Sequence, residues 1–136
     1  MNFFRFTLLS DGSSDKALIP HLTWLLRQNG LNQSIVPEWA DLSRLREKPK
    51  TLTERIERSI ELYPCDLLFI HRDAEREDPN NRRQEIATAL AESSKESEIP
   101  YICVIPIRMQ EAWLLFDKIN LYQNIWFYGE LNLLFL

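Results

Sequence analysis

Asp66-Leu67-Leu68-Phe69-Ile70-His71-Arg72-Asp73-Ala74-Glu75 is the stretch whose reading decides the fold. Leu67, Leu68, Phe69 and Ile70 form a short apolar run between polar flanks. Such a run marks a strand buried on both faces of a parallel sheet. Two acidic residues follow, spaced two apart. In an open α/β sheet ligands sit beyond the carboxyl ends of the strands, and Asp73 and Glu75 fall there. Residues i and i+2 of an extended chain point to the same side. The two carboxylates would then face a cation, a shared proton or open solvent. A solvated acidic loop is the plainer alternative, since Glu77 and Asp78 continue the charge.

Outward from this stretch, strands and helices alternate. Residues 3–9 read as a first strand, stopped by the turn-rich Ser10-Asp11-Gly12-Ser13-Ser14-Asp15. Ala17, Leu18, Leu22, Leu25 and Leu26 then follow a helical period, with Ser13 or Ser14 as the expected cap. Pro20 lies in the first turn or kinks the helix, and Asn29-Gly30 ends it. Residues 34–39 read as a second strand, placed at an edge or in an irregular segment by Pro37. After a polar loop over 41–50, Leu52, Ile56 and Ile60 mark a second helix capped by Thr51 or Thr53. Its exposed side carries Glu54, Arg55, Glu57, Arg58 and Glu61, suited to surface ion pairs. A third helix is predicted over 82–94 with Ile86, Ala87, Leu90 and Ala91 inward. Residues 101–105 form another β-branched run, and 106–117 a short amphipathic helix.

This spacing predicts an α/β domain over residues 1–117, with a mostly parallel four-stranded sheet flanked by helices. Residues 118–136 form an apolar aromatic tail, with Gly129 as a candidate hairpin turn. The tail packs on the domain or forms an interface with another chain.

The totals agree with one soluble domain. The chain has 136 residues, 45% hydrophobic and 26% charged. The net charge of −4 includes no basic block, so charge alone does not predict strong attraction to phosphate backbones. Cys65 and Cys103 are not in a CxxC pair and read as buried thiols of a reducing cytoplasm. No signal-peptide pattern opens the chain, and no window approaches the roughly 18 apolar residues of a membrane span. The expectation is a cytoplasmic protein with no membrane partner.

Three acidic clusters follow three strands: Asp11 with Asp15, Asp73 with Glu75, and Glu111 at the start of the last helix. In a parallel sheet these strand ends share one edge, so the clusters could converge. Carboxylates are hard ligands suited to Mg²⁺ or Mn²⁺, ions that polarise phosphoryl oxygens and activate water. Asp11 and Asp15 serve equally as turn and cap residues, and Glu111 could merely offset Arg108. His71 reads as a strand-end residue rather than a ligand. His71-Arg72-Asp73 imitates the kinase catalytic triplet but lacks its downstream Asn spacing. Arg72, Arg76, Arg82, Arg83 and Arg108 could contact phosphates or neutralise carboxylates. Trp24, Trp39 and Trp113 read as core, and Lys16 as a solvated helix residue.

The segment Leu8-Leu9-Ser10-Asp11-Gly12-Ser13-Ser14-Asp15-Lys16-Ala17-Leu18 resembles the first motif of Toprim domains. Asp73-Ala74-Glu75 is similar to their second motif, Asp-x-Asp at a strand end. Ile105-Pro106-Ile107-Arg108-Met109-Gln110-Glu111-Ala112-Trp113-Leu114-Leu115 is similar to a segment of a small bacterial Toprim-like family associated with ATPases and phage-defence loci. The resemblance spans roughly residues 3 to 117. It implies a Rossmann-like Toprim arrangement and a metal-dependent nuclease. Asp11, Asp73 and Glu75 would be the catalytic and metal-holding residues, with Asp15 and Glu111 supporting the metal. Arg72, Arg76 and Arg108 would bind phosphate. The implied cofactor is Mg²⁺ or Mn²⁺, and the implied partners are nucleic acid, DNA ahead of RNA, and an ATPase. A homo-oligomer through the tail is a further expectation. Two positions depart from the family: Asp11 stands where Glu is usual, and Glu75 where Asp is usual. The rival expectation rests on the short tail together with the first departure: a non-catalytic Toprim-like assembly or regulatory subunit.

Overall fold

Successive side chains of a strand point to opposite sides, and this sorts the apolar residues onto two faces of one sheet. In the computed structural model, which describes residues 3–74, 77–93, 99–107 and 125–129, the elements run β1 (Phe3–Leu9), α1 (Ile19–Gln28), β2 (Ser34–Trp39), α2 (Leu52–Leu62), β3 (Leu67–His71), α3 (Pro79–Glu92), β4 (Tyr101–Pro106) and β5 (Ile125–Tyr128). The strand order is β2-β1-β3-β4-β5. The first four strands are mutually parallel, and β5 runs antiparallel to β4.

One face gathers Phe6 and Leu8 of β1, Leu67 and Phe69 of β3, Ile102 and Val104 of β4, and Ile125 of β5 under Leu22, Leu25 and Leu26 of α1. Phe6 and Phe69 meet edge to face at 5.3 Å, the arrangement favoured by ring quadrupoles. The other face gathers Leu9, Leu68, Ile70, Cys103 and Ile105 under Ile56 of α2 and Ile86 and Ala89 of α3. Each buried large side chain contributes about 1.5–3 kcal/mol. Burial of β3 on both faces is therefore the largest local reason for its position at the sheet centre. Thr7, buried among these residues, donates its hydroxyl to the Tyr63 carbonyl at 3.0 Å.

The sheet has five strands rather than the expected four. Ile125 and Phe127 continue the α1 face, while Trp126 and Tyr128 continue the other. This period of two was masked in the sequence by apolar neighbours on both sides. β5 is the edge strand on this side, and its pairing gives the outward backbone groups of β4 partners that they would lack if β4 were the edge. Gly129 directly follows β5, and the second arm of a hairpin turned there would lie outside the described residues. Residues 118–124 and 130–136, and the expected helix beyond residue 107, lie outside the described residues.

Three helix details differ from expectation. The first helix opens as a 3-10 segment, Ser13–Leu18, and becomes α-helical at Ile19, with Pro20 in the permissive first turn. Its cap is Gly12 rather than a serine: the Gly12 N–H donates to Asp15 Oδ2 at 2.9 Å. The third helix begins earlier, at Pro79 behind the Asp78 cap, and turns Ile86 and Ala89 inward while Ala87 and Ala91 are exposed. Thr51 caps α2 as expected, accepting from the Glu54 N–H at 3.1 Å. Pro37 sits on the edge strand β2, where a missing N–H costs least. Among the described residues no helix is long and apolar enough to cross a membrane.

Candidate functional site

The chain leaves β1 toward β2 on one side and returns to β3 on the other. The order therefore reverses between β1 and β3, and such a switch point opens a crevice beyond the carboxyl ends of the two strands. Ser10, Asp11 and Gly12 leave β1 there, and Arg72 and Asp73 leave β3.

The extended path of β3 continues past His71. The Arg72 N–H donates to the Val104 carbonyl and the Ala74 N–H to the Pro106 carbonyl, each at 3.1 Å. With both of these turned to β4, the intervening Asp73 N–H faces β1 and donates to Asp11 Oδ2 at 3.2 Å. Arg72 Nη1 donates to Asp11 Oδ1 at 2.7 Å. Arg55 of α2 approaches the same oxygen at 3.6 Å and donates to the Ser10 carbonyl. Arg72 Nη2 reaches Glu85 Oε1 of α3 at 2.8 Å, and Arg82 holds Glu85 Oε2 at 2.8 Å. Arg82 Nε also donates to the Asp73 carbonyl at 2.8 Å. The result is a chain of alternating charge, Arg55–Asp11–Arg72–Glu85–Arg82, assembled from both strand ends and two helices. All five side chains are partly exposed. Pairs of this kind contribute on the order of 0–1 kcal/mol each, so they orient side chains more than they stabilise the fold.

Beneath this chain lies a buried pair. His71 is 1% exposed and Asp15 1% exposed. The Asp11 N–H donates to His71 Nδ1 at 3.3 Å, which assigns the ring proton of the neutral form to Nε2. Asp15 Oδ2 lies 3.6 Å from the same nitrogen, a contact of charge rather than a hydrogen bond. Burial raises the Asp15 carboxyl above its ordinary range, against the pull of His71 and the Gly12 N–H; Asp11 and Asp73 raise it further. Burial lowers His71, against the attraction of Asp15, Asp11 and Asp73. Asp15 Oδ1 is buried without a hydrogen-bond partner among the described residues, as is Arg72 Nε. On the β2 side, the Trp39 indole N–H donates to Ser10 Oγ at 2.8 Å, and Lys16 Nζ sits 4.3 Å over the ring. Trp39 is half-buried against the α1 core, so it is a wall of the crevice as well as a core residue. Lys16 is exposed, as expected, but ordered by that ring.

Of the residues singled out from sequence, Asp11, Asp15, Arg72 and Asp73 are brought together here. Glu75, Arg76, Arg108 and Glu111 lie outside the described residues. Arg82 joins the network, whereas Arg83 lies over the Tyr128 ring at 3.5 Å and donates to its hydroxyl. Among the described residues no group of three or more His, Cys, Asp and Glu could hold a metal ion. Mg²⁺ needs only one or two carboxylates beside waters and substrate oxygens. Asp11 and Asp73 fit that smaller demand, provided that the arginines release the Asp11 oxygens. Two members went unread in the sequence. The sequence reading places Arg55 on the exposed side of the helix, yet it shares the inward stripe of Leu52, Ile56 and Ser59, and a charge on that stripe is the signal. Glu85 carries no sequence signal, because its role depends on α3 lying beside β3.

An open groove of about 1050 Å³ lies elsewhere, lined by residues of the loop before α2 such as Arg46, Lys48 and Lys50, and by Glu54 and Arg58 of α2. None of the crevice residues lines it. Comparisons with family models, curated proteins and solved structures gave no match.

Proposed function

We propose that the β1–β3 crevice is the site of a Toprim-like, Mg²⁺- or Mn²⁺-dependent nuclease of a bacterial defence system. The single observation that carries this reading is the contact of the Asp73 N–H with Asp11 at the switch point. It brings two acidic motifs 62 residues apart in sequence to one crevice. A divalent ion there would polarise a phosphoryl oxygen and activate a water. Asp11 and Asp73 would hold it, with Glu75 completing the set and Glu111 supporting it. Asp15 lies behind Asp11 with one buried oxygen unengaged, as a supporting acceptor should. Arg72, joined by Arg76 and Arg108, would bind the phosphate and steady its developing charge. The nucleic acid is taken as DNA ahead of RNA, with an ATPase as partner and the tail as an oligomer contact.

The test is calorimetric titration with Mg²⁺ and Mn²⁺ of the native chain and of an Asp73→Ala, Glu75→Ala double variant, followed by cleavage assays on DNA and RNA. Metal binding that vanishes in the double variant, with cleavage reduced at least about 100-fold, is the expected outcome. No binding to the native chain at millimolar metal overturns it. One observation favours a second reading, a non-catalytic assembly subunit: the Asp11 carboxylate is already engaged by Arg72 and Arg55. A stable oligomer without metal binding or cleavage is its signature.

A further inference from the structure

Two guanidinium groups close on one oxygen of Asp11, and a third shares Glu85 with the first. These arginines come from three separate elements, α2, β3 and α3, and their side chains are 16–21% exposed. Convergence of three fixed forks at a switch-point crevice is how proteins recognise phosphate, through paired N–H donors of matching geometry. Here the acceptors are supplied internally, by Asp11 and Glu85, at 31% and 34% exposure. The arrangement leaves Arg72 incompletely satisfied: its Nε–H is buried and has no acceptor among the described residues. A buried donor without a partner is a cost to the closed arrangement, which therefore resists rearrangement less than a fully bonded one.

We propose that Arg55, Arg72 and Arg82 form a phosphate-binding site that Asp11 and Glu85 mask, so that a phosphate group displaces the carboxylates from the arginines. A phosphate oxyanion competes directly with the Asp11 and Glu85 carboxylates for the same N–H donors. Displacement frees Asp11, so phosphate binding and use of Asp11 as a ligand favour each other, and by linkage each strengthens the other to the same degree. The proposal adds to the nuclease reading but needs no metal, and its test runs in chelator so that the two fail separately.

The probe is inorganic phosphate, titrated calorimetrically into the full chain. Asp11→Asn and Glu85→Gln each remove an internal competitor and are expected to tighten phosphate about fivefold or more. Arg55→Gln and Arg72→Gln are expected to abolish binding. Glu47→Gln, an equal charge change on the exposed loop before α2, is the control and should leave affinity within about twofold. Glu85 is a partly exposed helix residue outside both cores, so its variant carries the test if Asp11→Asn fails to fold. Equal affinity in the native, Asp11→Asn and Glu85→Gln chains overturns the proposal, as does unchanged binding in Arg55→Gln. The predicted phosphate pattern in a chain that binds no Mg²⁺ upholds it while the nuclease reading falls.

Discussion

At the scale of the residue, the buried His71–Asp15 pair carries a pH dependence with two opposed arms. His71 is lowered from its ordinary 6.5, so on acidification the unfolded chain takes up that proton first and stability falls below about that pH. Asp15 is raised from its ordinary 3.8, so the folded chain holds that proton longer and stability falls as pH rises from there. The arms oppose each other between those two values. Asp15→Asn removes one arm and also the carboxylate that attracts a protonated His71. Urea midpoints in chelator should therefore drop more steeply from pH 6.5 to 4 in this variant than in the native chain. Parallel curves would show that the pair is not coupled to folding. Both cysteines are free, Cys103 buried as expected and Cys65 only half-buried; burial raises Cys65 and pushes Cys103 up to about 12. Few thiolates form in such surroundings, so neither thiol is a nucleophile at neutral pH.

At the scale of the element, β5 depends on its terminus. Gly129 has φ +154°, and a Cβ placed there would meet Ile102 Cγ1 at 2.8 Å and the Tyr101 carbonyl oxygen at 3.0 Å. The second contact is with backbone, which cannot swing aside. Gly129→Ala should therefore cost about 1–3 kcal/mol, read as a lowered urea midpoint. An unchanged midpoint would mean that β5 shifts along β4 without loss. The same strand is held from outside by Arg83, whose guanidinium covers Tyr128. This half-buried arginine of α3 thereby ties the helix to β5. In α2 the division differs. Arg58 pairs with Glu61 on the surface as its i,i+3 spacing suggests, whereas Arg55 turns under the helix toward Asp11.

At the scale of the whole molecule, two cores share one sheet, and β5 extends both beyond β4. Ile125, 3% exposed, ties β5 to the α1 core. Ile125→Ala should destabilise the chain by about 2–5 kcal/mol in urea unfolding, far above an ordinary surface change. A cost under about 0.5 kcal/mol would show that the four parallel strands fold without it. What the sequence by itself determined is local. Leu67 to Ile70 reads as a doubly buried strand, Pro37 points to an edge or an irregular segment, and acidic residues follow the first and third strands. These are consequences of side-chain period and backbone chemistry within a few residues. The fifth strand was hidden because a period of two is unreadable where nearly every residue is apolar. Tertiary structure alone decided that β1 and β3 are neighbours, which sets Asp73 on Asp11 and Arg72 between Asp11 and Glu85. That adjacency joins residues some 60 positions apart and is selected by the summed burial of two cores. No local pattern near Asp11, Arg55 or Glu85 encodes it.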